Sequence, residues 1–480
     1  MTSSTIDKER LIAKARTRLD DLRTLQELGL ICKDGDFFPS VHYPPITMYP
    51  PITEEEMFKD YSLPEDGLVD VYAHIPFCER RCVFCHYPVR LGPKYESEKD
   101  QYLDALEKEM DIYLARLGVN RVRARSILVG GGTPTYLTLP QMRRFLESFV
   151  ARVDISGHPQ FNYDVDPNTL LGDEGMERLR MMRDFGVDRL TIGVQSLNDR
   201  ILKLMNRPHD VKEALESIEN SKRLGFQVNI EFIFGYPGQT LENWAEVVEQ
   251  AAQLDVDEIQ LYRLKVDAYG DYQGPIKRFG EIHPSEMPTV DDTLVMKQMA
   301  IDILGEYGYH ENMRRVFSRK PEHYSHYAHN QCCKLYDEVG FGLTAFSSLR
   351  NRFILNTQYF DEYYAKIAEG KLPLNRGLVR NQEEQERWAI VLPLKNRSVR
   401  RNDYLRATGV PLDSVFNDKM ERLAAAGLVE VNDKEIVLTK LGAFFADEVA
   451  QQFHHPDYMP FPKDSYQPGP LYPYGEANRP

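Results

Sequence analysis

Six short apolar runs, at 68–75, 126–130, 161–165, 189–194, 227–234 and 258–265, alternate with amphipathic stretches long enough for a helix. That rhythm commits residues 67–270 to repeated βα units, because parallel strands need a crossover of about a dozen residues, which a helix supplies. Six units fall short of a closed (β/α)8 barrel, so the expected core is α/β: a partial (β/α)6 TIM-like barrel, open on one side. In parallel barrels chemistry sits at the C-terminal strand ends. Several of these runs finish in polar or glycine-rich turns.

Around that core the chain divides by composition. Residues 1–66 hold one expected amphipathic helix over 5–28, with Leu11, Ile12, Ala15, Leu19, Leu22 and Leu25 at helical spacing. A connector from His42 to Pro51 follows, too rich in proline for a helix or a central strand. Residues 271–377 break the βα rhythm and are crowded with Tyr and His, which suits a substrate-pocket region. Residues 378–455 turn helical and charged, and 423–442 reads as helix, β-hairpin wing and helix, a winged-helix-like α+β unit. The stretch 456–480, dense in Pro and Tyr, is expected to drape over a surface.

A chain of 480 residues with 42% apolar and 28% charged residues has the profile of a globular protein with a large catalytic unit and smaller attachments. It contains no run of eighteen apolar residues, so no membrane span is expected. The net charge of −14 argues against broad binding to nucleic acid, and the winged unit is read as a structural cap. Six cysteines are too few and too clustered for a secreted disulfide framework, which points to a reducing, cytoplasmic setting.

Three of those cysteines, Cys78, Cys82 and Cys85, form a C-x3-C-x2-C triplet just after the first apolar run. A closed zinc site wants four ligands, whereas a [4Fe–4S] cluster on three cysteines keeps one iron open. His74 or His86 could complete a zinc site, but the chain lacks the second C-x2-C pair usual for zinc. Gly130-Gly-Gly-Thr-Pro134 ends the second run and can bring backbone N–H groups close to an anion; it lacks the lysine of a nucleotide P-loop. Further strand ends carry Asp164 and Asp166, Gln195 and Glu231, and a carboxylate so placed can accept both hydroxyls of a ribose.

With these motifs the chain resembles the radical S-adenosylmethionine (SAM) enzymes of the oxygen-independent coproporphyrinogen oxidase type. The resemblance covers residues 66–455 and rests on Tyr72-Ala-His-Ile-Pro-Phe-Cys78, Gly130–Tyr136, Ile192-Gly-Val-Gln-Ser196, Asn206-Arg207, Phe234-Gly-Tyr-Pro-Gly-Gln-Thr240, Gly340-Phe-Gly342 and Leu438-Thr-Lys-Leu-Gly442. It implies that Cys78, Cys82 and Cys85 ligate a [4Fe–4S] cluster whose open iron binds SAM. Gly131, Gly132 and Thr133 would hold the methionine end, with Tyr72 and Phe84 near the cluster and Asp164 against the ribose. Gln195, Arg207 and Glu231 match further SAM-contacting positions, the last two suiting a second SAM. The implied chemistry is reductive cleavage of SAM to a 5′-deoxyadenosyl radical, fed by an electron donor such as a flavodoxin or ferredoxin.

Members that oxidise coproporphyrinogen carry another cysteine two residues past the third, where this chain has Tyr87. Lys265 and Phe346 replace a small and an aliphatic residue of the cofactor pocket. These departures resemble the radical C-methyltransferases of the family, so the expected reaction is methylation of an unsaturated or aromatic small molecule such as a quinone or natural product, with a second SAM as methyl donor. The alternatives are oxidative decarboxylation of coproporphyrinogen III, other tetrapyrrole chemistry, and a haem chaperone, whose signature is matched only at His329-Asn330. Tyr309, His310 and His329 are the candidate proton-handling residues, taken from the Tyr- and His-rich stretch 307–329.

Overall fold

The computed structural model describes residues 7–31, 42–46, 49–85, 87–264 and 274–458. The six expected strands are all present: β1 (Leu68–Ile75), β2 (Val122–Gly131), β3 (Gln160–Val165), β4 (Arg189–Gln195), β5 (Gln227–Phe234) and β6 (Glu258–Arg263). They are parallel neighbours in chain order. Beyond the seventh and eighth strands, β7 (His310–Met313) and β8 (Val316–Ser318), come β9 (Glu338–Phe341), β10 (Phe346–Leu349), β11 (Arg352–Asn356) and β12 (Leu374–Val379). The sheet runs β7-β8-β6-β5-β4-β3-β2-β1-β9-β10-β11-β12, its two ends unjoined. It is a partial barrel, but with a seventh parallel strand, since β9 pairs parallel to β1 before the chain turns antiparallel. The rhythm that marks β1 to β6 could not show β9, because no βα unit of its own precedes it.

Alternation along the strands sorts side chains onto two faces. The outer row, including Val69, Val71, Ala73, Ile127, Val129, Ile192, Val228, Ile230 and Ile259, is buried in one continuous apolar core under the helices. The inner row is polar and self-bonded: Ser126 to Asp70, Arg189 to Asn162 and Glu258, Asn229 to Thr191, Tyr262 to Glu231. The barrel interior is therefore a stack of hydrogen-bonded polar layers wrapped in an apolar shell.

The expected single helix over 5–28 is two helices, Lys8–Arg16 and Arg18–Glu27. The Thr17 hydroxyl and N–H both return to the Lys14 carbonyl, tightening one turn between them. At the other end of the chain, Ser398–Arg400, Val429–Val431 and Glu435–Leu438 form a three-stranded antiparallel sheet beside the helix Asp413–Ala425, the wing and helix read from the pattern. Residues 459–480 lie outside the described residues. No described helix is long and apolar enough to cross a membrane.

Candidate cluster and cofactor site

The loop carrying the three cysteines leaves β1 at its C-terminal end and is fastened on three sides. Gly132 N–H donates to Ile75 O at 2.9 Å and Thr133 N–H to Phe77 O at 2.8 Å, bolting the glycine turn to the loop. Val83 N–H donates to Met205 O at 3.0 Å, and Asn206 Nδ2 to Arg81 O at 2.7 Å. Arg207 Nη1 reaches the Cys82 thiol at 2.9 Å, and the Thr133 hydroxyl lies 3.6 Å from Cys78 Sγ. All three thiols are free. Burial pushes the Cys78 and Cys85 thiols up, so without a metal centre both are neutral thiols.

Zinc would draw its thiolates to about 3.8 Å apart, from a Zn–S bond of ~2.3 Å in tetrahedral geometry. Among the described residues no three Cys, His, Asp or Glu side chains gather tightly enough to hold one ion. A cluster asks less, because each cysteine takes a different iron. His74, the zinc alternative, is committed elsewhere: its ring meets Tyr72 Oη at 2.9 Å and Thr344 Oγ1 at 3.4 Å. Burial pushes it down to about 3, so the imidazole is neutral. His86 lies outside the described residues.

The glycines are required by close approach. A Cβ at Gly132 would stand 2.8 Å from both Cys78 Sγ and Phe77 O, and Gly131 sits at φ +117° with the His74 ring 2.8 Å from where its Cβ would be. Gly132→Ala is expected to displace the cysteine loop and cut cluster content on reconstitution severalfold while far-UV circular dichroism is retained. Unchanged iron content would show that the loop can give way without cost.

Around the mouth, Asp164 lies beside Gly130 and is held by Asn162 Nδ2 at 3.1 Å. Burial pushes its carboxyl up to about 7. Glu231, bonded by Tyr262 Oη at 3.2 Å, is pushed up to about 8, by burial first and Asp164 second. Gln195 is buried at the end of β4 with φ +67°. Phe84 packs with Ile201, Met205 and Ile233, and Phe346 stacks on Tyr72 with ring centroids 6.3 Å apart. Lys265 lies outside the described residues.

The structure adds a buried triad: Arg207 Nη2 bonds Asp166 Oδ2 at 2.5 Å and Gly193 O at 2.6 Å, and His209 Nδ1 lies 3.4 Å from Asp166 Oδ1. Burial alone would raise the Asp166 carboxyl, but Arg207 and His209 override it and hold it low. The Asn206-Arg207 motif pointed to Arg207; nothing in the spacing pointed to His209. Arg207 Nε and Ser196 Oγ are buried without a partner at these strand ends, which suits a polar group from outside the chain.

The proton-handling candidates are not here. Tyr309 is buried with its hydroxyl on Val256 O, before β6 begins, and His310 opposes Ser318 at the outer edge of the sheet. His329 closes the helix His326–His329, whose neighbouring backbone bonds Gln160 and Glu258, the first residues of β3 and β6. All three sit at the N-terminal strand ends, opposite the cysteines. The Tyr- and His-rich stretch plugs the closed end of the barrel, and its polar residues serve that seal. A cavity of about 410 Å³ lined by Arg200, Gln239, Thr240, Glu286 and Met287 likewise lies outside the barrel mouth, against the loop that follows β5.

Residues 72–251, which carry the cysteine loop and the glycine turn at the open end of the partial barrel, match the Radical SAM superfamily. Its cofactors are a [4Fe–4S] cluster and SAM. Over most of its length the chain is similar to oxygen-independent coproporphyrinogen oxidase-like proteins. It is 27% identical over 393 residues to the haem chaperone HemW of Bacillus subtilis, covering 80% of this chain and 98% of that one. It is 26% identical over 402 residues to the oxygen-independent coproporphyrinogen III oxidase of Escherichia coli, covering 80% and 85%. The solved structure of coproporphyrinogen III oxidase (HemN) from Escherichia coli superposes with a TM-score of 0.73 over 88% of this chain and all of that one, at 23% identity, and so shares the fold. The methyl transfer expected from Tyr87 gains no support from these relatives; tetrapyrrole chemistry fits them better.

Proposed function

We propose that this chain is a radical SAM enzyme acting on a tetrapyrrole, with oxidative decarboxylation of a coproporphyrinogen-type substrate as its reaction. The observation that carries this reading is a continuous aromatic wall beside the cluster loop. Tyr72 stacks on Phe346, Phe346 stacks on Phe353 at 5.1 Å, and His42 lies against Phe353 at 4.4 Å. Tyr72, Phe346 and His42 are half-buried and can meet a flat macrocycle, with the buried Phe353 backing them. Residues 271–377 supply half of it, in keeping with a substrate-pocket region.

When bound, the cluster and SAM supply the 5′-deoxyadenosyl radical that removes a hydrogen atom from substrate. Cys78, Cys82 and Cys85 would ligate the cluster, and Arg207 would steady the Cys82 thiolate by charge-assisted hydrogen bonding. Gly131, Gly132 and Thr133 would hold the methionine end of SAM, and Asp164 the ribose. Gln195 would contact SAM as well, and Arg207 and Glu231 suit a second SAM at the same mouth. Tyr72 and the neutral His74 wall the pocket from water, which a carbon radical requires.

Anaerobic incubation of the reduced protein with SAM, coproporphyrinogen III and an added one-electron acceptor should yield 5′-deoxyadenosine and a vinyl product lighter by carbon dioxide and two hydrogens, one hydrogen atom going to the deoxyadenosyl radical and the other leaving as a proton with its electron passed to the acceptor. S-adenosylhomocysteine formed alongside a methylated product would return the reading to methyl transfer. The identity to HemW favours haem binding without turnover as a second reading. Burial and then Lys334 push His329 down to about 4, leaving a neutral imidazole beside Tyr324. A Soret band abolished by His329→Ala, without deoxyadenosine formation, would select it.

A further inference from the structure

Residues 206–210 form a short hook between two helices, Asp199–Leu204 and Val211–Arg223. Pro208 fixes the backbone angle at its centre, and Asp210 ends it by capping the second helix in a reciprocal pair with Glu213. The hook presents Arg207 and His209 at spacing two, and both close on Asp166, the residue that follows β3 and caps the turn Pro167–Leu170. The two divide its carboxylate. Arg207 Nη2 takes Oδ2, while His209 Nδ1 lies 3.4 Å from Oδ1 and His209 Nε2 lies 3.2 Å from Val194 O. The His209 side chain is fully buried, so it ties Asp166 to β4 one residue beyond Gly193, whose carbonyl also receives Arg207 Nη2. With Nη2 committed to these two acceptors the planar guanidinium is fixed, and its Nη1 meets Cys82 Sγ at 2.9 Å. Slack at Asp166 would therefore be passed on to a cysteine of the cluster loop.

We propose that His209 is a positioning residue for the cluster: through Asp166 it aims the Arg207 guanidinium at Cys82 and so sets the reduction potential of the [4Fe–4S] centre. The inference rests on the radical SAM reading. A hydrogen bond and a positive charge at a ligating sulfur favour the cluster that carries the extra electron, so turning Nη1 away from Cys82 makes reduction harder. His209 itself takes neither the thiol nor the guanidinium as its partner; its ring acts on both through the carboxylate.

The test uses the cluster-loaded protein without SAM, poised at a series of potentials with dithionite and mediators while visible absorption is followed. His209→Ala should keep its iron and lower the midpoint, leaving about tenfold less reduced cluster at a fixed potential, ~59 mV for one electron. Asp166→Asn separates aim from charge. Losing a negative charge near the cluster would by itself raise the midpoint, whereas a guanidinium without its anchor lowers it. A lowered midpoint is the expected result, and a raised one would overturn the positioning role. In an Arg207→Lys background, which has already lost the planar fork, His209→Ala should shift the midpoint no further. A His209→Ala protein with a lower urea midpoint but an unchanged potential would make the residue a filler of the hook and overturn the inference. Absence of cluster absorption in the unaltered protein would instead overturn the radical SAM reading beneath it.

Discussion

Cys78→Ala, Cys82→Ala and Cys85→Ala each lose the broad visible absorption of a [4Fe–4S] cluster after anaerobic reconstitution, and SAM cleavage falls by more than about a hundredfold. That exceeds the 10- to 100-fold usual for losing a partner outside the ligand set, because here a ligand itself is removed. No described thiol can stand in: Cys332 and Cys333 lie in the plug Asn330–Lys334, which bonds Asp70 and Ser126 from the closed end of the barrel. The folded structure should survive. The loop is held by backbone bonds from Gly132, Thr133 and Val83, and by Asn206, none of which uses a thiol. Iron content, visible spectrum and far-UV circular dichroism on each variant, with Cys333→Ala as control, check this. Full absorption in any of the three would remove that cysteine from the ligand set.

The outer half of the barrel was open to reading from the chain because its period is simple. Every second residue of β1, β3, β4 and β5 is apolar and faces the helices, and β1 and β5 begin and end at the expected residues. The cysteine loop and the glycine turn were legible for a different reason: metal ligation and close backbone approach each demand particular residues at short spacing. What was not legible depends on pairings distant in sequence. Strand β9 joins β1 across about 270 residues, and the partner of Asn330, Asp70, is a strand residue far upstream. A stretch rich in Tyr and His reads equally as an active site or as a seal, and only its position at the N-terminal strand ends decides. The polar inner row is written in β1 as Asp70, Tyr72 and His74 at spacing two, a pattern that a reading of apolar runs passes over. Its function as a bonded stack required the neighbouring strands.

That stack supplies the second large effect. Arg189 and Glu258 are an ion pair at 2.7 Å with side chains 1% and 0% exposed, and Gln260 Nε2 and Ser325 N–H also donate to Glu258. Arg189→Met removes one partner and strands a carboxylate in the barrel, at an expected cost of about 3–5 kcal/mol. Against a typical net stability of ~5–15 kcal/mol, that is a large share. The loss should also travel to the mouth. Arg189 Nη1 bonds Asn162 Oδ1 at 2.6 Å, and Asn162 in turn holds Asp164, so freeing Asn162 loosens the carboxylate beside the glycine turn. The double variant Arg189→Met/Glu258→Gln separates the two consequences. Removing the stranded charge should restore most of the urea midpoint, whereas SAM affinity should stay low, because Asn162 keeps only the bond from the Thr191 hydroxyl at 3.0 Å. If both recover together, Asp164 is set by its own strand and the stack contributes stability alone; if neither recovers, the packing of the Arg189 side chain outweighs its charge.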